Sequence, residues 1–159
     1  MEQLDYQSKM SKQLPVPPFR MIYNASGMHL AASKVRNNRA IVTKSLYWAA
    51  FRDEAEADFL CAILNSSATT ELLRPFMSYG KDERHVDKHL WQLPIPPYDG
   101  EDTSHQELVS LSLQASQIAN DCPVDSALHF AATRRRIRQL IENSPAGKRI
   151  SEIVYEMLS

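Results

Sequence analysis

The stretch that decides the fold is residues 40–65, AIVTKSLYWAAFRDEAEADFLCAILN. Its first half, Ala40 to Phe51, carries Ile41, Val42, Thr43, Tyr47 and Trp48, the β-branched and aromatic types that fit a pleated, half-buried surface. It predicts a strand long enough to bend or bulge near Lys44-Ser45. The pattern changes at Asp53. Asp53 is a good N-cap, and Glu54 and Glu56 complement the positive end of a helix dipole. Phe59, Leu60, Ile63 and Leu64 then recur at helical spacing until Asn65-Ser66-Ser67 stops the run.

Upstream of this handover the chain reads as strand and turn. Phe19, Met21 and Tyr23 alternate with Arg20, Ile22 and Asn24, Ser26-Gly27 marks a turn, and Met28 to Ser33 is a candidate returning strand. Asn37-Asn38-Arg39 is a further turn, and Pro15, Pro17 and Pro18 make residues 1–18 an extended leader. Downstream the chain reads as helix. A second short helix is expected from about Ala68 to Met77, with Leu72, Leu73 and Phe76 on its apolar side and Pro75 bending or ending it. Ser104 and Glu107 have the spacing of a capping box before Leu108, Leu111, Ala115, Ile118 and Ala119. Pro123 breaks that helix, and Asp125 can cap the next, whose face runs Phe130, Thr133, Ile137, Leu140 and Ile141 among Arg134, Arg135, Arg136 and Arg138. A last helix follows Ser144-Pro145, with Ile150, Ile153, Val154, Met157 and Leu158 on one side. Strands first and helices later define an α+β class, a small N-terminal mixed or antiparallel sheet followed by packed helices. The expected organisation is a leader (1–18), one α+β domain (19–143) and a C-terminal helix packed on it (144–159).

Between the two regions lies MSYGKDERHVDKHLWQLPIPPY, residues 77–98. Gly80 breaks what precedes it, and Lys81, Asp82, Glu83, Arg84, His85, Asp87, Lys88 and His89 crowd charge into a short loop. Trp91, Leu93 and Ile95 alternate with Gln92 and Pro94, the period of a strand with one buried face. Three prolines, Pro94, Pro96 and Pro97, confine that strand to an edge. A charged loop held by a rigid edge strand suits contact with something outside the protein.

A chain of 159 residues is long enough to bury a core without disulfide or metal. No apolar run reaches the roughly 18 residues of a membrane span, and MEQLDYQSKM lacks the apolar core of a signal peptide. Cys61 falls on an apolar helical face as a small buried residue, which favours a reducing, cytoplasmic setting. The net charge of −1 conceals segregation: Lys9, Lys12, Arg20, Lys34, Arg36, Arg39, Lys44 and Arg52 fall in a span free of acids, and Asp53 to Glu71 is free of bases. If the segments do not interleave, one face is basic and suits a polyanion such as nucleic acid.

The residues do not assemble a catalyst. On a helix His85 and His89 would face the same way, but no third ligand sits at a suggestive distance and Arg84 and Lys88 oppose a cation, so no metal site is expected. Asp82, Glu83 and Asp87 each have a base nearby and read as surface pairs. Ser26-Gly27 lacks the Gly-x-Ser-x-Gly frame, and four glycines form no phosphate loop, so no catalytic residue and no cofactor is expected in this chain. Tyr47 and Trp48 beside Arg39 and Lys44 interleave aromatics with bases, as nucleic-acid surfaces often do, although one of the two rings must face the core.

KSLYWAA, followed by FLCAILNSSATTELLRPFMSYGKDERHVDKHLWQLPIPPYD and a capped helix, resembles the C-terminal target recognition domain of TaqI-class adenine-specific DNA methyltransferases from bacterial restriction-modification systems. The order of Leu64-Asn65-Ser66, a loop, and Leu93-Pro94-Ile95-Pro96 is also similar to the specificity subunits of type I restriction enzymes. The resemblance spans roughly Phe19 to Leu140. It implies a module that reads base edges in duplex DNA while a separate catalytic domain or subunit flips and methylates the base. Ile95-Pro96-Pro97-Tyr98 only echoes the catalytic Asn-Pro-Pro-Tyr of that family, because Ile replaces the Asn that holds the target amino group. Neither S-adenosylmethionine binding nor methyl transfer is therefore expected of this chain.

The leading expectation is a DNA-recognition module. Arg20, Lys34, Arg36, Arg39 and Lys44 would contact phosphates, and Lys81, Arg84, His85, Lys88 and His89 would lie near bases or backbone. One alternative is a protein-interaction module that docks a catalytic subunit. The other is a small metal-dependent nuclease built on residues 82–89.

Overall fold

The computed structural model describes residue 8 and residues 10–37, 39–43, 45–76, 89–124 and 129–159. Strand β1 (Phe19–Asn24) is the centre of a three-stranded sheet, flanked by β2 (Ala32–Val35) and β3 (Leu46–Phe51) in the order β2-β1-β3. Both pairings are antiparallel; Met21 stands opposite Lys34 and Ala49, and Tyr23 opposite Ala32 and Tyr47. Helices α1 (Glu54–Asn65), α2 (Ser67–Leu73), α3 (Thr103–Asp121), α4 (Phe130–Asn143) and α5 (Pro145–Leu158) follow. The class is α+β, and the sheet is antiparallel.

The strands are shorter than the sequence pattern suggests, for a definable reason. Residues 40–43 do not join β3, because other groups use their backbone. The Gln13 amide brackets Val42, donating to its carbonyl at 3.0 Å and accepting from its N–H at 2.8 Å, so a side chain replaces a strand neighbour. This ties the segment before Pro15 to the stretch that leads into β3: residues 11–13 form a 3₁₀ turn and Gln13 is buried, where an extended leader was expected. The returning strand starts at Ala32 instead of Met28. The intervening turn is organised by Asn24, whose side chain donates to the carbonyls of Ser26 (2.8 Å) and His29 (3.1 Å) and accepts from the Ala31 N–H (2.7 Å). Gly27 makes that turn possible with φ of +139°.

The strand expected around Trp91, Leu93 and Ile95 is absent from the described residues. Leu90–Gln92 is a 3₁₀ turn, and the proline-rich segment after it has no ladder partners; the Ile95 N–H turns back to the Leu93 carbonyl at 2.8 Å. Pro94, Pro96 and Pro97 lack the donors a ladder needs. Burial selects Leu90, Leu93 and Ile95, whereas Trp91 is 56% exposed.

Helix α1 has the expected Asp53 cap, which accepts from the Glu56 N–H at 2.8 Å. Ser66 closes α1 and caps α2, and Pro75 lies in the 3₁₀ turn (Arg74–Phe76) that ends α2. Helix α3 is capped by Asp102 and not by the Ser104–Glu107 box. The Asp102 carboxylate accepts from the N–H groups of Ser104 (2.7 Å) and His105 (3.1 Å), and Glu107 turns instead to Arg149 at 2.7 Å. The His129 ring accepts the Ala131 N–H at the start of α4; Asp125 lies outside the described residues. Ser144 caps α5, with Pro145 in its first turn.

Two buried clusters form the core. One joins Phe59, Ile63, Leu108, Ile150, Ile153 and Val154 across α1, α3 and α5. The other joins Met21, Tyr23 and Leu30 to Leu64, Leu73 and Leu90. Leu60, Leu93 and Ile95 touch both, so the proline-rich segment seams sheet to helices. Cys61 and Cys122 are both free and buried, and burial pushes the Cys61 thiol up to about 12. No described helix is long and apolar enough to cross a membrane.

Candidate nucleic-acid interface

The bases of the N-terminal segment do not form one uniform face. Arg20 is 1% exposed and turned inward. Its guanidinium donates to the carbonyls of Ala40 (2.9 Å) and Asn37 (2.8 Å), holding the loop after β2 against the sheet. It is therefore placed as a structural residue and not at a phosphate-contacting surface. Lys34 shares the α1-facing side of the sheet with Met21, and its ammonium lies 2.7 Å from Asp58 and 2.8 Å from Glu54. Burial pulls the Lys34 pKa down, but the two carboxylates outweigh it and the net displacement is upward. The acidic start of α1 thus interleaves with the basic strand, and Lys34 is internally neutralised.

Arg36 and Arg39 remain at the surface. The Arg36 side chain is 78% exposed and reaches Glu54 only at 4.0 Å. Arg39 is exposed, with its backbone held by the Asn37 side chain at 2.9 Å. His89 lies at the other end of the sheet. Val35, just before Arg36, pairs with Arg20, whereas Tyr23 and Tyr47, next to Trp91, occupy the opposite end of the ladder. Arg36 and Arg39 are therefore not brought beside His89. Lys44, Lys81, Arg84, His85 and Lys88 lie outside the described residues, as do Asp82, Glu83 and Asp87.

The residues flanking 77–88 are pinned together. The Phe76 and His89 rings lie near-parallel at 6.0 Å, and His89 Nδ1 meets Gln92 Oε1 at 3.2 Å. Beside them runs an aromatic ledge. Trp91 donates its indole N–H to the Tyr23 hydroxyl at 3.3 Å, and Tyr23 stacks on Tyr47 at 5.3 Å. Phe76, Trp91 and Tyr47 are all partly open to solvent. Between Tyr47 and Trp48, it is Tyr47 that faces outward on this ledge, while Trp48 is half-buried on the opposite side of the sheet, opposite Ile22.

Among the described residues, a further block of exposed positive charge lies on α4, outside the site residues assigned from sequence. Helix α4 has no buried residue, and Arg134, Arg135 and Arg136 are exposed. Arg134 packs over the Phe130 ring at 5.4 Å, and Arg138 pairs with Glu142 at 3.6 Å. Arg135 and Arg136 have no carboxylate partner among the described residues. The signal was present in the run RRRIR, residues 134–138, which contains four arginines and no acid. The apolar face assigned to this helix is only partly used, since Phe130 is 71% exposed and Leu140 43%.

The landmarks of the family resemblance have structural roles here. Asn65 clips the edge of β2 by accepting from the Ala32 N–H and donating to the Ala32 carbonyl, both at 2.9 Å. Leu93 and Ile95 fill the seam between the two core clusters. Among the described residues, no group of three or more His, Cys, Asp or Glu side chains could hold a metal ion. No family model, no curated protein and no solved structure matches the chain.

Proposed function

We propose that the chain is the DNA-recognition module of a restriction-modification methyltransferase, acting beside a separate catalytic domain or subunit in the cytoplasm. The observation that carries this reading is the exposed arginine row of α4, whose Arg135 and Arg136 have no carboxylate partner among the described residues. Unpaired guanidiniums on adjoining sides of one helix suit neighbouring phosphates, which they neutralise with release of counterions. Arg36 and Arg39 add phosphate contacts from the loop after β2. Lys81, Arg84, His85, Lys88 and His89 supply contacts to bases or backbone, with Phe76 and His89 as the feet of that segment. Phosphate contacts fix position, and base-edge contacts supply sequence. The module carries no cofactor and performs no methyl transfer.

The test is fluorescence anisotropy with a mixed-sequence duplex at low and at physiological salt. Binding should weaken steeply with salt. Arg135→Glu with Arg136→Glu should reduce both affinity and the salt slope, by about one unit of slope for each phosphate that is no longer neutralised. Absence of binding even at low salt overturns the assignment. A second reading, docking of a catalytic subunit without direct DNA contact, is favoured by the exposed Phe130 and Leu140 on the same helix. It would show as partner binding that is abolished in Phe130→Ser but unaffected by salt.

A further inference from the structure

A cavity of about 450 Å³ runs along the outer edge of β2, between α1 and α4, with α3 and α5 beneath it. That volume falls within the range of roughly 300–1,000 Å³ typical of small-molecule sites. Its chemistry divides into three zones. The rim is cationic: Arg36 stands at one end of β2 and Arg134 and Arg138 face it from α4. His29, also in the wall, registers this field. Burial lowers its pKa first, and Arg138, Arg74 and Arg134 push it further down against the opposing pull of Glu142. The second zone is hydroxylic. Ser151 lies 3.3 Å from Ser66 and 3.0 Å from Ser67, and Ser112, Ser116 and Thr70 continue the lining. The third is apolar, formed by alanines of α1 and α3 and by Ile137, Ile141 and Ile150.

One polar group in this wall is incompletely satisfied. Asp58 is 3% exposed; its Oδ2 is taken by Lys34 at 2.7 Å, but its Oδ1 is buried with no hydrogen-bond partner. A buried acceptor without a donor is costly, and it marks this wall as strained in its polar pairing. Around the cavity, Lys34 is taken up by Asp58 and Glu54 and Arg138 pairs with Glu142 at 3.6 Å, which leaves Arg134, with no carboxylate partner among the described residues, and Arg36, 4.0 Å from Glu54, as the uncompensated cations. The excess positive charge calls for an anion, and guanidiniums match a phosphate in particular.

From this cluster we infer that the cavity between β2 and α4 binds a small phosphomonoester with a hydroxylated body. Its phosphate sits on Arg134 and Arg138, and its hydroxyls reach the serine row. A sugar phosphate and a nucleoside monophosphate share this chemistry; the apolar wall gives the second a place for its base. This site shares Arg36 with the proposed DNA surface but leaves out Arg135 and Arg136, and it does not depend on the chain binding DNA.

The test is isothermal titration of the full chain with ribose 5-phosphate, adenosine 5′-monophosphate, adenosine and inorganic phosphate. Saturable binding of either phosphomonoester, with adenosine and inorganic phosphate at least about tenfold weaker, is the expected result. The preferred ligand of the first two separates a sugar phosphate from a nucleotide. Arg138→Gln should weaken binding about tenfold or more, and Ser116→Trp, which fills the cavity from a half-exposed position, should abolish it. If Ser116→Trp does not fold, as judged by circular dichroism, Asn120→Trp at an exposed position in the same wall replaces it. Both tryptophan variants should keep the duplex anisotropy of the parent chain, so loss of DNA binding and loss of ligand binding are read separately. No heat with either phosphomonoester at about 1 mM overturns the inference. So does binding that inorganic phosphate reproduces and that the tryptophan variants leave intact.

Discussion

At the scale of single residues, the pairing of Lys34 with Asp58 and Glu54 shows how a charge that reads as surface becomes structural. Lys34 alternates with Ser33 and Val35 on a short strand, and nothing in the local pattern reports that the start of α1 will lie against it. Register decides the matter: Lys34 stands opposite Met21, on the side that α1 covers. Arg20 was misplaced in the same way. It alternates with Met21 as a polar residue should, yet its side chain is covered by the segment after β2, where it satisfies the carbonyls of Asn37 and Ala40. The pairing of Lys34 has a measurable consequence. Lys34→Met leaves the buried Asp58 uncompensated and should cost about 3–5 kcal/mol of unfolding free energy. The folded-state pKa of Lys34 is raised, so its contribution is fully present below the ordinary 10.5 and lost as pH rises through the folded value. That of Glu54 is lowered by its bond to Lys34, so its share is present above the ordinary 4.5 and lost as pH falls through the folded value. Denaturant midpoints of parent and variant should therefore differ by a constant amount between those limits, and the difference should shrink as pH rises through the folded Lys34 value or falls through that of Glu54.

At the scale of elements, the helices were legible and the irregular segments were not. The stripe of α1, its Asp53 cap and the buried face of α5 follow from spacing alone, because a helix satisfies its own backbone and needs only one apolar side. The sheet partners were harder to read, since an outside group can take the place of a strand, as Gln13 does at Val42. Trp91, Leu93 and Ile95 misled for the opposite reason: an alternating pattern is compatible with an irregular segment that pairs with no strand. As for the site, the positive charge of residues 134–138 was visible, but which arginines would be neutralised was not. The junction of α4 and α5 illustrates a constraint that sequence does not display. A Cβ on Gly147 would collide with the Ile141 carbonyl oxygen and lie 2.7 Å from its carbon, both backbone atoms that cannot swing aside. Gly147→Ala must therefore push α4 away from α5, an overpacking penalty of about 1–3 kcal/mol. Thermal unfolding should show a lower Tm. Because α4 forms one wall of the β2–α4 cavity, a parallel titration should also show weaker phosphomonoester binding.

At the scale of the whole molecule, the question is whether the sheet cluster and the helix cluster unfold together. Met21, Tyr23 and Leu30 meet Leu64, Leu73 and Leu90 in one, and α1, α3 and α5 supply the other. Helix α1 belongs to both, through Phe59 and Ile63 on one side and Cys61 and Leu64 on the other. The remaining link is the seam of Leu60, Leu93 and Ile95. Two clusters that share a helix and a seam should exchange with the unfolded state as one unit, as small single domains usually do. Both tryptophans report from the sheet side, Trp48 within β3 and Trp91 against Tyr23, whereas far-ultraviolet dichroism is dominated by the helices. Fluorescence and dichroism should therefore give coincident denaturation curves in the parent chain. Removing the seam should separate them. Leu93→Ala with Ile95→Ala deletes apolar packing on both clusters while leaving the interior of each intact, at about 2–5 kcal/mol per side chain if the gap does not close. The sheet, with three short strands, has the smaller reserve and should melt first, so the fluorescence midpoint should fall below the dichroism midpoint. Curves that stay superimposed in the double variant would mean that α1 alone couples the two halves.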